Sequence, residues 1–220
     1  LTEVKTVDDD INFLTGVIYL SDGNDLTVKS NGGAITINSI MGEAEKDADV
    51  ILNADAGVDT TGENVTVGAI GSGNEIAAVT IAGRDGITLK GNITLSNKAG
   101  SDLDIDGAVT IDGSVTIDTD NESADRGSGA TENDGDINFS STINGNSTAN
   151  SVDNLTIEAG DTTAAGSPTL TLSGAIGGSS PLDTLSINAS TSTMAFSVPQ
   201  IGSGTAAGAG SSTASVSIGN

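Results

Sequence analysis

The chain contains no cysteine, no histidine and no tryptophan. Without cysteine there is no disulfide frame and no thiol nucleophile. Without histidine the commonest general base is gone. The aromatics amount to three Phe and one Tyr. A core of large rings, which bury the most surface per side chain, is therefore excluded. Cations are as scarce: seven Lys and Arg stand against 30 Asp and Glu, a formal charge of −23. Nucleic-acid binders need clustered cations to replace counterions, so that class is excluded too. No run approaches the roughly eighteen apolar residues of a membrane helix. The opening LTEVKTVDDD has no signal-peptide character.

What remains is Ile, Val, Leu, Ala, Thr, Ser, Asn, Asp and 30 Gly. These are written in a small repeated phrase, apolar–Thr–apolar. It appears as LTV at 26, ITI at 35, VTV at 65, VTI at 79, ITL at 87 and ITL at 93. It continues as VTI at 109 and 115, LTI at 155 and LTL at 170. Variants include INF at 11 and 137, LDI at 103, LSI at 185 and VSI at 216. The period is two, so each phrase predicts a short strand with two side chains inward and one outward. Gly, Asn, Asp and Ser gather between phrases, where corners belong. On this pattern Val109, Ile111, Val115 and Ile117 point inward, and Thr110 and Thr116 outward.

A longer order is also written. From Asp10 the chain reads DINF, LTV, ITINSIMG, DVILNADAG; from Asp136 it reads DINF, LTI, LTLSGAIGG, DTLSINAS. Strands of about three residues are unstable alone but can stack as rungs about 4.8 Å apart. The expected fold is all-β: a parallel β-helix, or β-solenoid, of about eight to ten coils with irregular outward loops. Variable loops favour the right-handed form. The main rival, an array of β-sandwiches, needs a repeat unit of about 100 residues, far longer than this one. Residues 1–220 read as one solenoid segment of a longer repetitive chain. Residues 119–136 and 202–215 read as outward loops, and 41–51 as an acidic loop with a turn of helix at most.

DINF, LTLSGAIGG and LSINAS resemble the repeat regions of large bacterial surface proteins, those of the filamentous-haemagglutinin-type adhesins. The resemblance implies a right-handed parallel β-helix, export to the cell surface, and adhesion. It implies no catalytic residue. The family's secretion domain, with its Asn-Pro-Asn motifs, has no counterpart here, which leaves the export route open.

The candidate chemistry is thin. A polysaccharide-acting β-helix enzyme needs a base beside a metal, or paired carboxylates in an aromatic-lined groove. The sequence has two Arg, five Lys and one Tyr for such work, so catalysis is the third reading and no cofactor is required. Calcium is the one metal considered. GND within SDGNDLTV (21–28) echoes half of a calcium-binding nonapeptide, which needs successive copies to close a site. Asp8, Asp9, Asp10, Asp22, Asp25, Asp118 and Asp120 are the candidate ligands, against the simpler reading of solvated acidic loops. Asn-x-Ser/Thr triplets at Asn64, Asn92, Asn121, Asn138, Asn146, Asn154 and Asn188 are as frequent as this composition makes by chance. A rank of outward Thr would suit an ice surface, but each triad offers only one. The sequence therefore reads as an extracellular structural rod touching further coils or identical subunits at its ends, with a host or matrix glycan or protein as possible ligand. A module binding calcium, glycan or ice is the alternative.

Overall fold

In a computed structural model of the chain, the structure describes residues 2–21, 23–42, 47–55, 62–96, 100–119, 135–148, 152–159 and 168–188. It also describes the backbone of 195–197 and 215–219. These residues are all-β, with no helix among them. The strands are β1 (Thr2–Thr6), β2 (Ile11–Phe13), β3 (Ile18–Tyr19), β4 (Leu26–Ser30), β5 (Ile35–Met41), β6 (Val50–Asn53) and β7 (Asn64–Ile70). Next come β8 (Val79–Ala82), β9 (Gly86–Leu89), β10 (Ile93–Thr94), β11 (Leu103–Asp106), β12 (Val109–Ile111), β13 (Ser114–Asp118) and β14 (Ile137–Phe139). The last are β15 (Ile143–Gly145), β16 (Asn154–Glu158), β17 (Thr169–Leu172), β18 (Thr184–Asn188), β19 (Ala195–Ser197) and β20 (Ser215–Gly219).

They form two long parallel sheets. Sheet 1 is β1-β4-β6-β8-β11-β14-β17-β19. Sheet 2 holds the other 12 strands and runs as two tracks. The tracks are joined where β5 and β7 are long enough to serve both. Ile35–Ile37 pairs with Ile11–Phe13 and Val65–Val67, while Ile40 pairs with Ile18 and Ile70. In later rungs the same path is cut by a corner, giving β9 then β10 and β12 then β13. The chain thus visits sheet 1, then each track of sheet 2, and returns one rung further along. The stretch LDIDGAVTIDGSVTIDTD is one such circuit: β11, β12 and β13 are its three sides.

Register explains why so plain a sequence folds. Thr2 faces Leu26 and Leu26 faces Val50, a step of 24 residues. Leu103 faces Ile137, a step of 34, with no loss of alignment. Inward positions therefore stack in columns. One runs Ile18, Ile40, Ile70, Ile93, Ile117, Ile157, Ile187. From Ile40 onward every member is buried. Each buried Ile contributes roughly 2 kcal/mol over an exposed one, and its β-branch suits the pleat. Val109, Ile111, Val115 and Ile117 are at most 1% exposed, whereas Thr110 and Thr116 reach the surface, as alternation requires.

Three expectations change. The two long phrases are not copies in space, because the DINF at 10–13 ends in sheet 2 and the DINF at 136–139 in sheet 1. Met41 closes β5 and Val50 opens β6, so the 41–51 segment is strand at both ends; 43–46 lie outside the described residues. Of the two loops, 120–134 and 202–214 lie outside the described residues. Their margins are structured, however. Thr119 is buried with its N–H donated to the Glu158 carbonyl at 3.0 Å, and Ser215 opens β20.

Candidate functional site

The polar chemistry of the molecule lies at its corners. Before each sheet-1 strand stands a residue whose place is set by the rung. Asp25 occupies it in one rung and Asp49, Ala78, Asp102 and Asp136 in those that follow. The Asp25 Oδ1 accepts the Asp49 N–H at 3.0 Å, Asp102 Oδ1 the Asp136 N–H at 2.9 Å, and Asp136 Oδ1 the Thr169 N–H at 2.7 Å. Asp49 in turn takes the Ala78 N–H, and its carboxyl is pushed up chiefly by burial and then by the Asp25 charge. These carboxylates form a capping ladder that reaches from rung to rung. It satisfies corner N–H groups that the strands leave over. These aspartates are structural in this sense.

A second corner holds an ion cluster. Arg84 reaches Asp55 Oδ1 at 2.9 Å and Glu63 Oε2 at 3.3 Å. Glu63 is 0% exposed. Asp85 accepts the N–H groups of Gly62 and Glu63 at 2.7 and 3.3 Å. Asp55 precedes residues 56–61 and Gly62 follows them, so one rung's Arg-Asp pair grips both ends of the segment inserted in the rung before it.

The third feature is a shallow cavity of about 540 Å³ at the corner between the two tracks of sheet 2. Leu14 overhangs it, and Thr36, Asn38, Thr66, Gly68 and Lys90 line it. Gly68 is required there, because a Cβ would collide with the Asn38 carbonyl. Lys90 Nζ lies 2.6 Å from Asp112 Oδ2, and Asn146 Nδ2 donates to Asp112 Oδ1 at 2.9 Å. The Lys90 bond first, then that of Asn146, holds the Asp112 carboxyl below its usual range.

The fourth is a hydroxyl-bearing face. Ser114 and Thr116 align with Asn154 and Thr156, and these with Thr184 and Ser186. Three outward polar side chains per rung stand there, Asp118, Glu158 and Asn188 completing the rows, two more than the Thr triad alone foretells.

The calcium candidates are dispersed. Asp8, Asp9 and Asp10 share the exposed corner after β1, with Asp8 at φ 62°. Asp10 Oδ1 is taken by the Ala34 N–H at 2.8 Å, and the Asp9 carbonyl by Thr6 Oγ1 at 2.6 Å. Asp25 belongs to the capping ladder, and Asp118 sits in β13 opposite Thr94 and Glu158. Asp22 and Asp120 lie outside the described residues. Among the described residues, no three carboxylates converge as a metal would need. The Arg84 cluster and the polar columns beside the outward Thr escaped the sequence reading. Asp55 and Glu63 are joined only through the next rung, and the face emerges only once the register is known. Against known proteins, no family model, curated protein or solved structure matches the chain.

Proposed function

We propose that the chain is a right-handed β-solenoid and serves as a structural spacer. It would be a rod-like segment of an extracellular bacterial adhesin, exoprotein or filament that spans distance and presents loops. The observation that carries this reading is the register of sheet 1. Steps between rungs stretch from 24 to 34 residues while the strands stay aligned, so the fold absorbs insertions at its corners and keeps its axis. Right-handed crossovers are the rule between parallel strands. The carboxylates of the capping ladder are occupied by backbone N–H groups, which suits a scaffold. The role requires no cofactor and no turnover. Its partners are end contacts with further coils or identical subunits, with a host or matrix glycan or protein at the loops. Imaging the native particle tests it. An elongated element with a repeat of about 4.8 Å along its length is expected. A compact particle would overturn the reading.

The hydroxyl face favours a second reading, a ligand-binding module. Columns of Ser, Thr and Asn at about 4.8 Å spacing offer a regular lattice to ice or to a glycan. Measured thermal hysteresis that is lost in Thr116→Leu would establish the ice form, and its absence would remove it.

A further inference from the structure

Buried oxygens without a donor gather at one corner, the one by which the chain leaves sheet 1. Among the described residues, seven buried side-chain oxygens accept no hydrogen bond, and five of them lie here. They are Oδ1 of Asn31, Asn53 and Asp55 and both Oε atoms of Glu63. Register brings their residues together. Asn31 stands opposite Asp55 on the neighbouring rung. Asn53 alternates with buried Leu52 and Ala54, so it is turned outward, as Asp55 is. Glu63 stands beside Asp55 because one guanidinium, that of Arg84, meets both. Glu63 carries most weight. It is 0% exposed, and its Oε1 has neither water's reach nor a donor. Buried acceptors are normally paired with a protein donor, a water or an ion. Five at one corner call for one shared partner.

The cations nearby do not supply it. Arg84 comes close to Asp55 and Glu63, but its N–H groups are not aligned for a hydrogen bond to either oxygen. Lys29, which stacks on Asn53, is turned to Glu3 at 3.6 Å. The charges also fail to balance. Asp55, Glu63 and Asp85, whose carboxylate takes the Gly62 and Glu63 N–H groups, stand against Arg84 alone. A divalent cation closes that balance. We propose that this corner binds a calcium ion through Asp55 and Glu63, with the amide oxygens of Asn31 and Asn53 as neutral ligands. All are hard oxygens, and a chain without His or Cys offers nothing to zinc or copper. Calcium accepts six to eight oxygens in uneven geometry, whereas magnesium demands a strict octahedron. Two carboxylates make a modest site, with Kd about 10⁻⁴–10⁻³ M, the range of extracellular modules. The ion would tie Asn31 of one rung to Asp55 and Glu63 of the next, at the two ends of the segment 56–61. None of the seven aspartates singled out from the sequence takes part.

This goes beyond the spacer reading and does not rest on it. Titration of calcium chloride into the chelator-treated 220-residue chain tests it, by calorimetry at about 0.15 M sodium chloride to screen the acidic surface. One ion per chain is expected, with magnesium at least tenfold weaker. Glu63→Gln and Asp55→Asn should each weaken binding about tenfold or more. Asp104→Asn removes the same charge from an exposed position on the outer face of sheet 1 and should change nothing. Asn31→Asp adds a third carboxylate and should tighten binding about tenfold, an effect that misfolding cannot imitate. Melting curves in chelator show which variants are folded, and the Asn31→Asp arm decides if Glu63→Gln is not. No one-to-one site in the parent chain would overturn the proposal. So would a site indifferent to Glu63→Gln, weakened equally by Asp104→Asn, or not tightened by Asn31→Asp. Such failure leaves the spacer reading standing, whereas a compact native particle overturns the spacer and leaves the calcium site.

Discussion

Ile11–Phe13 and Ile137–Phe139 spell the same tripeptide, each after an aspartate, and meet different fates. The first is β2, on the outermost rung of sheet 2; the second is β14, inside sheet 1. Phe13 is 36% exposed and Phe139 is 0% exposed. Yet the aspartates do one job: Asp10 caps Ala34 at 2.8 Å and Asp136 caps Thr169 at 2.7 Å, each a rung away. The phrase therefore specifies a strand and its cap. Which side of the rung it builds, and how deeply, is decided by neighbours above and below.

That contrast between an interior rung and an end rung can be tested along one column. Ile117→Asp would bury an unpaired charge between Ile93 and Ile157 and should cost about 4 kcal/mol or more. The same change at half-buried Ile18 should cost about 1–2 kcal/mol. Urea denaturation of dilute protein measures both, and equal costs would erase the distinction. Next come the two rings. Phe139→Ala should cost about 3–5 kcal/mol and Phe13→Ala about 1 kcal/mol or less. The caps should behave alike: Asp10→Ala and Asp136→Ala should each cost about 1 kcal/mol, because each strands one N–H at an exposed corner. A large difference between them would show that depth, and not the cap, sets the value of the aspartate.

The smallest effect concerns acid. Asp112 belongs to interior rungs and is held below its ordinary value of 3.8 by Lys90 and Asn146. A carboxyl depressed in the fold contributes stability above its unfolded value, lost as the pH falls through the folded one. Asp112→Asn should thus lower stability at pH 7 by under about 1 kcal/mol, seen as a slight fall in the thermal midpoint. At a pH below the folded value the variant and the parent should melt together.

Much of the fold was legible because strand and corner are written locally. Val109, Ile111, Val115 and Ile117 alternate with Thr in a way that only a half-buried strand explains. The longer order was misread for a physical reason. Insertions at corners change sequence spacing without changing register, so similar phrases such as LTV at 26 and LTI at 155 land on different sheets. Acidity was read as solvation or metal binding. Several of the aspartates instead accept a backbone N–H 24 to 34 residues away, which no local window contains. Gly68 gave no signal either, since its need arises from the Asn38 carbonyl of the rung before.

The stacking direction has a mechanical consequence. The bonds that join rungs point along the stack, so a pull on its two ends loads them lengthwise, one rung after another. Each rung that opens releases about 24 residues of chain, roughly 80 Å of slack at the reach of an extended strand. The rung beneath it keeps its own column until its turn comes. Under tension such a stack yields in steps and lengthens many-fold before its last rung gives way, which is how a tether absorbs a jolt.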